Sequence, residues 1–151
     1  MHSETGVTAL AHAIQLAVAP VFLLSGIGAL LAVLTNRLSR VIDRARALEA
    51  QHPEVAPAEL TEFESRLTTL SMRGRLIGRA IFMVTACALL VCTVVAALFV
   101  AAFFGLDASE LVAFVFTVAM FSLIGGLVEF LREIFLATRS LRIGPPAAKP
   151  S

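Results

Sequence analysis

Three stretches of the chain are almost wholly apolar, and the pattern between the first two is of another kind. Ala13 to Thr35 carries nothing more polar than Gln15, and Ala80 to Phe104 and Leu111 to Val128 contain no charged residue. A helix that crosses a bilayer needs about 20 apolar residues, and backbone groups in lipid must find their hydrogen bonds within the segment. The pattern therefore predicts membrane helices, with spans at about 13–35, 80–104 and 110–130. Between residues 36 and 79 the apolar positions thin out to one stripe per helix. Leu38, Val41, Ile42, Ala45 and Leu48 recur at helical spacing, as do Leu60, Phe63, Leu67 and Leu70. The two stripes are separated by "HPEVAPAE", a turn signal with two prolines. The first helix should run on to about Gln51, and the second should begin near Ala58 and continue into the next span. Their stripes should pack as a helical hairpin. The third helix should outlast Val128 and end before Gly144, with 144–151 a disordered tail.

The predicted fold class is thus an all-α membrane protein: one domain over 1–143, three transmembrane helices, and a cytoplasmic helical hairpin between the first and second. Composition agrees. Of 151 residues 58% are hydrophobic and 15% charged, against the quarter that soluble domains carry. The first window resembles a retained span more than a signal peptide, because no Lys or Arg precedes it and its apolar run exceeds an ordinary h-region.

Charge distribution orients the spans. Eight of the twelve Lys and Arg lie between Arg37 and Arg79, and the other four lie at Arg132 and beyond. The positive-inside rule then places the hairpin and the C-terminus in the cytoplasm and the N-terminus and the "GLDASE" loop outside, an N-out/C-in topology. Within the hairpin the charges also separate lengthwise. Five glutamates occupy 49–64, whereas Arg37, Arg40, Arg44 and Arg46 on one arm and Arg66, Arg73, Arg75 and Arg79 on the other form a basic collar near the membrane. Such a collar attracts anionic headgroups of the lipid bilayer. With the turn centred near residues 54 and 55, residue i faces 109 − i. Asp43 should then pair with Arg66, or else with Arg40 or Arg46 on its own helix, and Arg44 and Arg46 should approach Glu64 and Glu62.

Two constellations stand out. Glu129 and Glu133 lie four apart on one helix face at the inner end of the third span. A carboxylate at that depth wants a cation. Pairing the second and third spans about residue 107 brings Glu133 level with Ile81, so Arg79 is the expected partner, with Arg75 or Arg37 joining the cluster. The alternative is that each side chain snorkels to water alone. The second constellation is small residues: Gly74 and Gly78 in "GRLIG", with Gly26 and Gly28 on the first helix and Gly125 and Gly126 on the third. They suit close helix packing within the chain, or alternatively between copies in a homo-oligomer.

Chemistry of other kinds finds no support. His2, His12 and His52 are scattered, and no metal-ligand spacing, phosphate loop or nucleophile elbow occurs. Cys87 and Cys92 point apart on one helix and suit packing rather than a disulfide. No Trp or Tyr offers a stacking platform for single strands. No enzyme activity, cofactor, metal or nucleic-acid partner is expected.

The segment "PVFLLSGIGALLAVLTNRLSRVIDRARALE" resembles the opening block of a family of small bacterial membrane proteins, domain-of-unknown-function family 2721. The specific part is a membrane helix running into Arg37, Asp43, Arg44 and Arg46. "SMRGRLIGRAIFM" and "FLREIFLA" are similar to later, more generic blocks. The resemblance covers about 13–142. It implies three spans in a bacterial inner membrane and no assigned activity. The expected role is a non-enzymatic scaffold or regulatory protein that meets an unknown protein partner through the hairpin. The alternative is a subunit of a homo-oligomeric channel or transporter.

Overall fold

The computed structural model describes residues 2–50 and 59–139, and among these it holds three α-helices: α1, His2–Glu49; α2, Leu60–Phe104; and α3, Ser109–Arg139. Each outruns its apolar window, as the continuous helical patterns anticipated. The expected turn near residues 54 and 55 and the tail at 144–151 lie outside the described residues. All three helices are long and apolar enough to cross a membrane.

The core follows a seven-residue rhythm. Buried positions recur on α1 at Ala13, Pro20, Ile27, Leu34 and Val41, with Ala17 buried beside that row; on α2 at Phe63, Leu70, Ile77, Val84 and Val91; and on α3 at Ala119, Gly126 and Glu133. A strict heptad is the seam of a left-handed coiled coil, because 3.5 residues per turn keeps one stripe facing the partner. On α2 a second buried row, Ala80, Cys87 and Val94, widens the face. α2 needs that width because it packs against both neighbours, while α1 and α3 barely approach each other. Cys87 lies in this core and Cys92 on the outside, both unbonded.

The outer faces are as apolar as the seams. Phe22, Phe82, Phe114, Phe121 and Phe135 all stand exposed. In the most apolar window of each helix only 17%, 17% and 11% of residues are buried within the chain. Water would not tolerate such surface, whereas lipid solvates it. The chain is therefore a multi-pass membrane protein. Hydroxyls within the helices are satisfied locally: Thr93 donates to the Leu89 carbonyl and Thr117 to that of Ala113. Ser122 instead crosses to α2, donating to the Met83 carbonyl at 2.8 Å.

The α2–α3 turn is tight. Gly105 adopts a left-handed φ of +67°, and the Leu106 amide donates to the Ala101 carbonyl at 3.0 Å, closing α2 with a Schellman-type cap. Asp107 then accepts from both the Ser109 amide, at 3.0 Å, and the Ser109 hydroxyl, at 2.7 Å. These donors hold its carboxyl below the ordinary value of 3.8.

The glycines divide. A Cβ on Gly126 would stand 2.7 Å from Val84 Cγ2 and 3.3 Å from the Ala80 carbonyl oxygen, so α3 rides close on α2 there. Gly125 lies against the flexible Met83 side chain, and Gly74 would make ordinary contact with Val41. Gly26, Gly28 and Gly78 were expected at packed faces, and for the chain itself that expectation is corrected: a Cβ on any of them would meet nothing within 4 Å. The reason is rotational. Each stands next in sequence to a seam residue, Ile27 or Ile77, and is turned about 100° away from the seam.

Candidate functional site

Glu133 occupies the last seam position of α3, where the rhythm calls for an apolar residue. Its side chain is 1% exposed. Burying a lone carboxylate is prohibitive, so the site must supply cations. It supplies two, from different helices. Arg37 of α1 donates through Nη1 to Oε2 at 2.6 Å. Arg73 of α2 donates through Nη2 and Nε to Oε1 at 2.8 and 3.1 Å. The Arg37 guanidinium also lies over the Phe130 ring, 5.1 Å from its centroid. Phe130 and Glu133 are three apart on α3, so one helix face grips the same guanidinium twice. The long Arg37 side chain thus spans the gap between α1 and α3, and all three helices meet at one carboxylate.

The expected cluster is only partly the observed one. Glu133 and Arg37 come together, but Arg79 and Arg75 do not join them. Both are exposed and form no ion pair among the described residues. The partner from α2 is Arg73, which was not anticipated. Two things explain the difference. α3 sits against α2 with Gly126 beside Ala80 and Val84, whereas pairing about residue 107 placed Gly126 opposite residue 88. In addition, Arg73 shares the buried face through Ile77, Ala80 and Val84, whereas Arg75 and Arg79 are rotated off it. The stripe at 73, 77, 80 and 84 was a signal open to sequence reading, had face been weighed beside depth.

Glu129, one turn deeper, is treated differently. Among the described residues its one ion pair is with Arg132 on the same helix, at 3.5 Å, and its buried Oε2 has no hydrogen-bond partner. Asp43 likewise corrects expectation. It is exposed and pairs with neither Arg66, Arg40 nor Arg46 among the described residues. Arg66 instead pairs with Glu62, one turn away at 2.6 Å, because a neighbour on the same helix costs less ordering than one across the hairpin. Arg44 and Arg46 make none of their expected contacts with Glu64 and Glu62.

Beside the junction lies a cavity of about 240 Å³ lined by Arg37, Arg40, Val41, Arg44, Leu70, Arg73 and Glu133. Four guanidiniums against one carboxylate leave a net charge of three positives. Both Glu133 oxygens accept hydrogen bonds from arginine, one at Oε2 and two at Oε1. Arg40 and Arg44 form no ion pair among the described residues. The chemistry of this lining suits an anion. Among the described residues no three His, Cys, Asp or Glu side chains gather to hold a metal. A second, wholly different cavity of about 700 Å³ opens at the other end of the molecule. Apolar side chains from all three helices, among them Leu16, Leu98 and Phe116, dominate its walls.

No curated protein sequence and no solved structure matches the chain significantly. A family profile does match, over residues 17–143, and that span includes Arg37, Arg73 and Glu133. The chain belongs to the family described as protein of unknown function, DUF2721.

Proposed function

We propose that the protein is a non-enzymatic scaffold or regulator of a bacterial inner membrane, oriented N-out/C-in, which meets its partner through the paired extensions of α1 and α2 in the cytoplasm. One observation carries this reading. Beyond the apolar windows the two helices continue as a packed pair, by about 20 Å on α1 and 30 Å on α2 at 1.5 Å per residue. Joining two spans requires only about 2–8 residues. The inward stripe of the extension, with Val41, Phe63 and Leu70, is buried, and its outer faces carry charges that the fold does not use. Asp43, Arg44, Arg46, Glu49, Glu59 and Glu64 are all exposed and form no ion pair among the described residues. The acidic end of this surface suits a basic partner. A photocrosslinker placed at Glu59 and at Glu64 in native membranes tests the reading. Capture of one defined protein at both positions supports it, and capture of lipid and self alone overturns it. Cysteines placed at Glu49 and Asp107 test the orientation, which requires labelling of the first from the cytoplasm and of the second from outside.

A second reading, a homo-oligomeric channel or transporter subunit, draws on the open faces at Gly26, Gly28 and Gly78, which leave room for a second copy. A strictly monomeric mass in mild detergent would rule it out.

A further inference from the structure

We infer that the arginine-lined cavity between α1 and α2 is a discrete binding site for the phosphate of an anionic phospholipid, with Arg40 and Arg44 as its free ligands. The inference concerns this cavity alone and stands whether or not the hairpin extension meets a protein.

Arg37, Arg40 and Arg44 are spaced three and four apart, so they share one face of α1. That face borders the cavity, and Arg73 closes it from α2. Two of the four guanidiniums are fixed by Glu133 and are not free to collapse onto a ligand or away from it. They form a pre-ordered positive wall, and fixed donors lose less entropy on binding than free ones. Arg40 and Arg44 make no ion pair among the described residues, and they can complete the cradle from the solvent side. Guanidiniums suit phosphate because their paired N–H groups match two of its oxygens.

Depth favours a lipid over a soluble phosphate. The apolar window of α1 ends at Thr35, two residues before Arg37. Counted from Thr35, Arg40 lies about 7.5 Å and Arg44 about 13.5 Å farther out along the helix axis, the first at the outer edge of a headgroup layer about 5–8 Å thick and the second beyond it, though helical side chains tilt toward the helix N-terminus, here back toward the bilayer. Basic pockets between membrane helices are where anionic headgroups are held individually rather than as a diffuse cloud.

The test is native mass spectrometry of the full chain in neutral detergent, titrated with phosphatidylglycerol and, separately, with phosphatidylcholine of the same acyl chains. The site predicts a single phosphatidylglycerol retained at least about tenfold more tightly than phosphatidylcholine. Replacing Arg40 and Arg44 together by Gln should cut that preference to within about threefold, since each guanidinium contributes a large share of a phosphate contact. Both side chains are exposed and carry no structural ion pair, so the variant should fold, and an unchanged melting temperature without added lipid verifies this. The control is Arg46→Gln with Arg75→Gln, which removes the same charge outside the cavity and should leave the preference intact. Equal losses in the two variants would show a diffuse collar and overturn the site. Displacement of the lipid by millimolar inorganic phosphate would also overturn it, because a soluble anion would then be the better occupant.

Discussion

The two ends of the molecule hold their helices in opposite ways. At one end α1, α2 and α3 converge on Glu133, and Arg37 reaches across to α3 through both an ion pair and the Phe130 ring. At the other end α1 and α3 are walls of a 700 Å³ apolar cavity, and only α2 touches both. The difference follows from the solvent. In lipid, apolar side chains gain little by choosing a protein neighbour over an acyl chain, so α1 and α3 have no strong reason to close on each other. A buried carboxylate has no such freedom and must draw its cations in. A single acidic residue at a seam position therefore does for α1 and α3 what a hydrophobic core does in water.

That contrast can be broken most severely at Glu133. Glu133→Gln leaves two half-buried guanidiniums facing a neutral amide and should cost about 3 kcal/mol in detergent unfolding, the low end for breaking a buried pair because both arginines keep access to water. Glu129→Gln should cost far less, because only one of its oxygens has a partner. Next in size is Gly126→Ala, which drives a methyl into Val84 and should cost about 2 kcal/mol by the same assay. Gly26→Ala and Gly78→Ala should instead be neutral or stabilising by up to about 1 kcal/mol, unless a second copy packs on those faces. At the open end Leu16→Ala should stay within about 0.5 kcal/mol, since Leu16 is 48% exposed.

The smallest effect belongs to Asp107. Its carboxyl is held below 3.8 in the folded chain, so its contribution is present above the unfolded value and disappears as pH falls through the folded one. Wild type and Asp107→Asn should therefore differ in melting temperature at pH 6 and converge well below pH 3.8.

Much of this architecture was legible in the residues. Uninterrupted apolar windows fix helices in lipid, and the absence of breakers after Thr35 and before Ala80 let α1 and α2 outrun those windows. The need of Glu133 for a cation was legible too, from depth alone. What depth could not supply was rotation. Arg79 lies nearer the expected level than Arg73, yet only Arg73 shares the face of Ile77 and Ala80. The seven-residue spacing of Ile27, Leu34 and Val41 carried that information, but it is hidden where nearly every residue is apolar. Asp43 failed for another reason: exposed ion pairs are worth about 1 kcal/mol or less, too little for cross-helix register to dictate a partner.

The Arg37–Glu133 pair ties α1 to α3. A double-mutant cycle with Arg37→Gln and Glu133→Gln, read by reversible unfolding in detergent, tests it most directly. The two losses should overlap, with a coupling of about 2 kcal/mol. Losses that add to within about 0.5 kcal/mol would contradict it and would leave α2 as the only link between the outer helices.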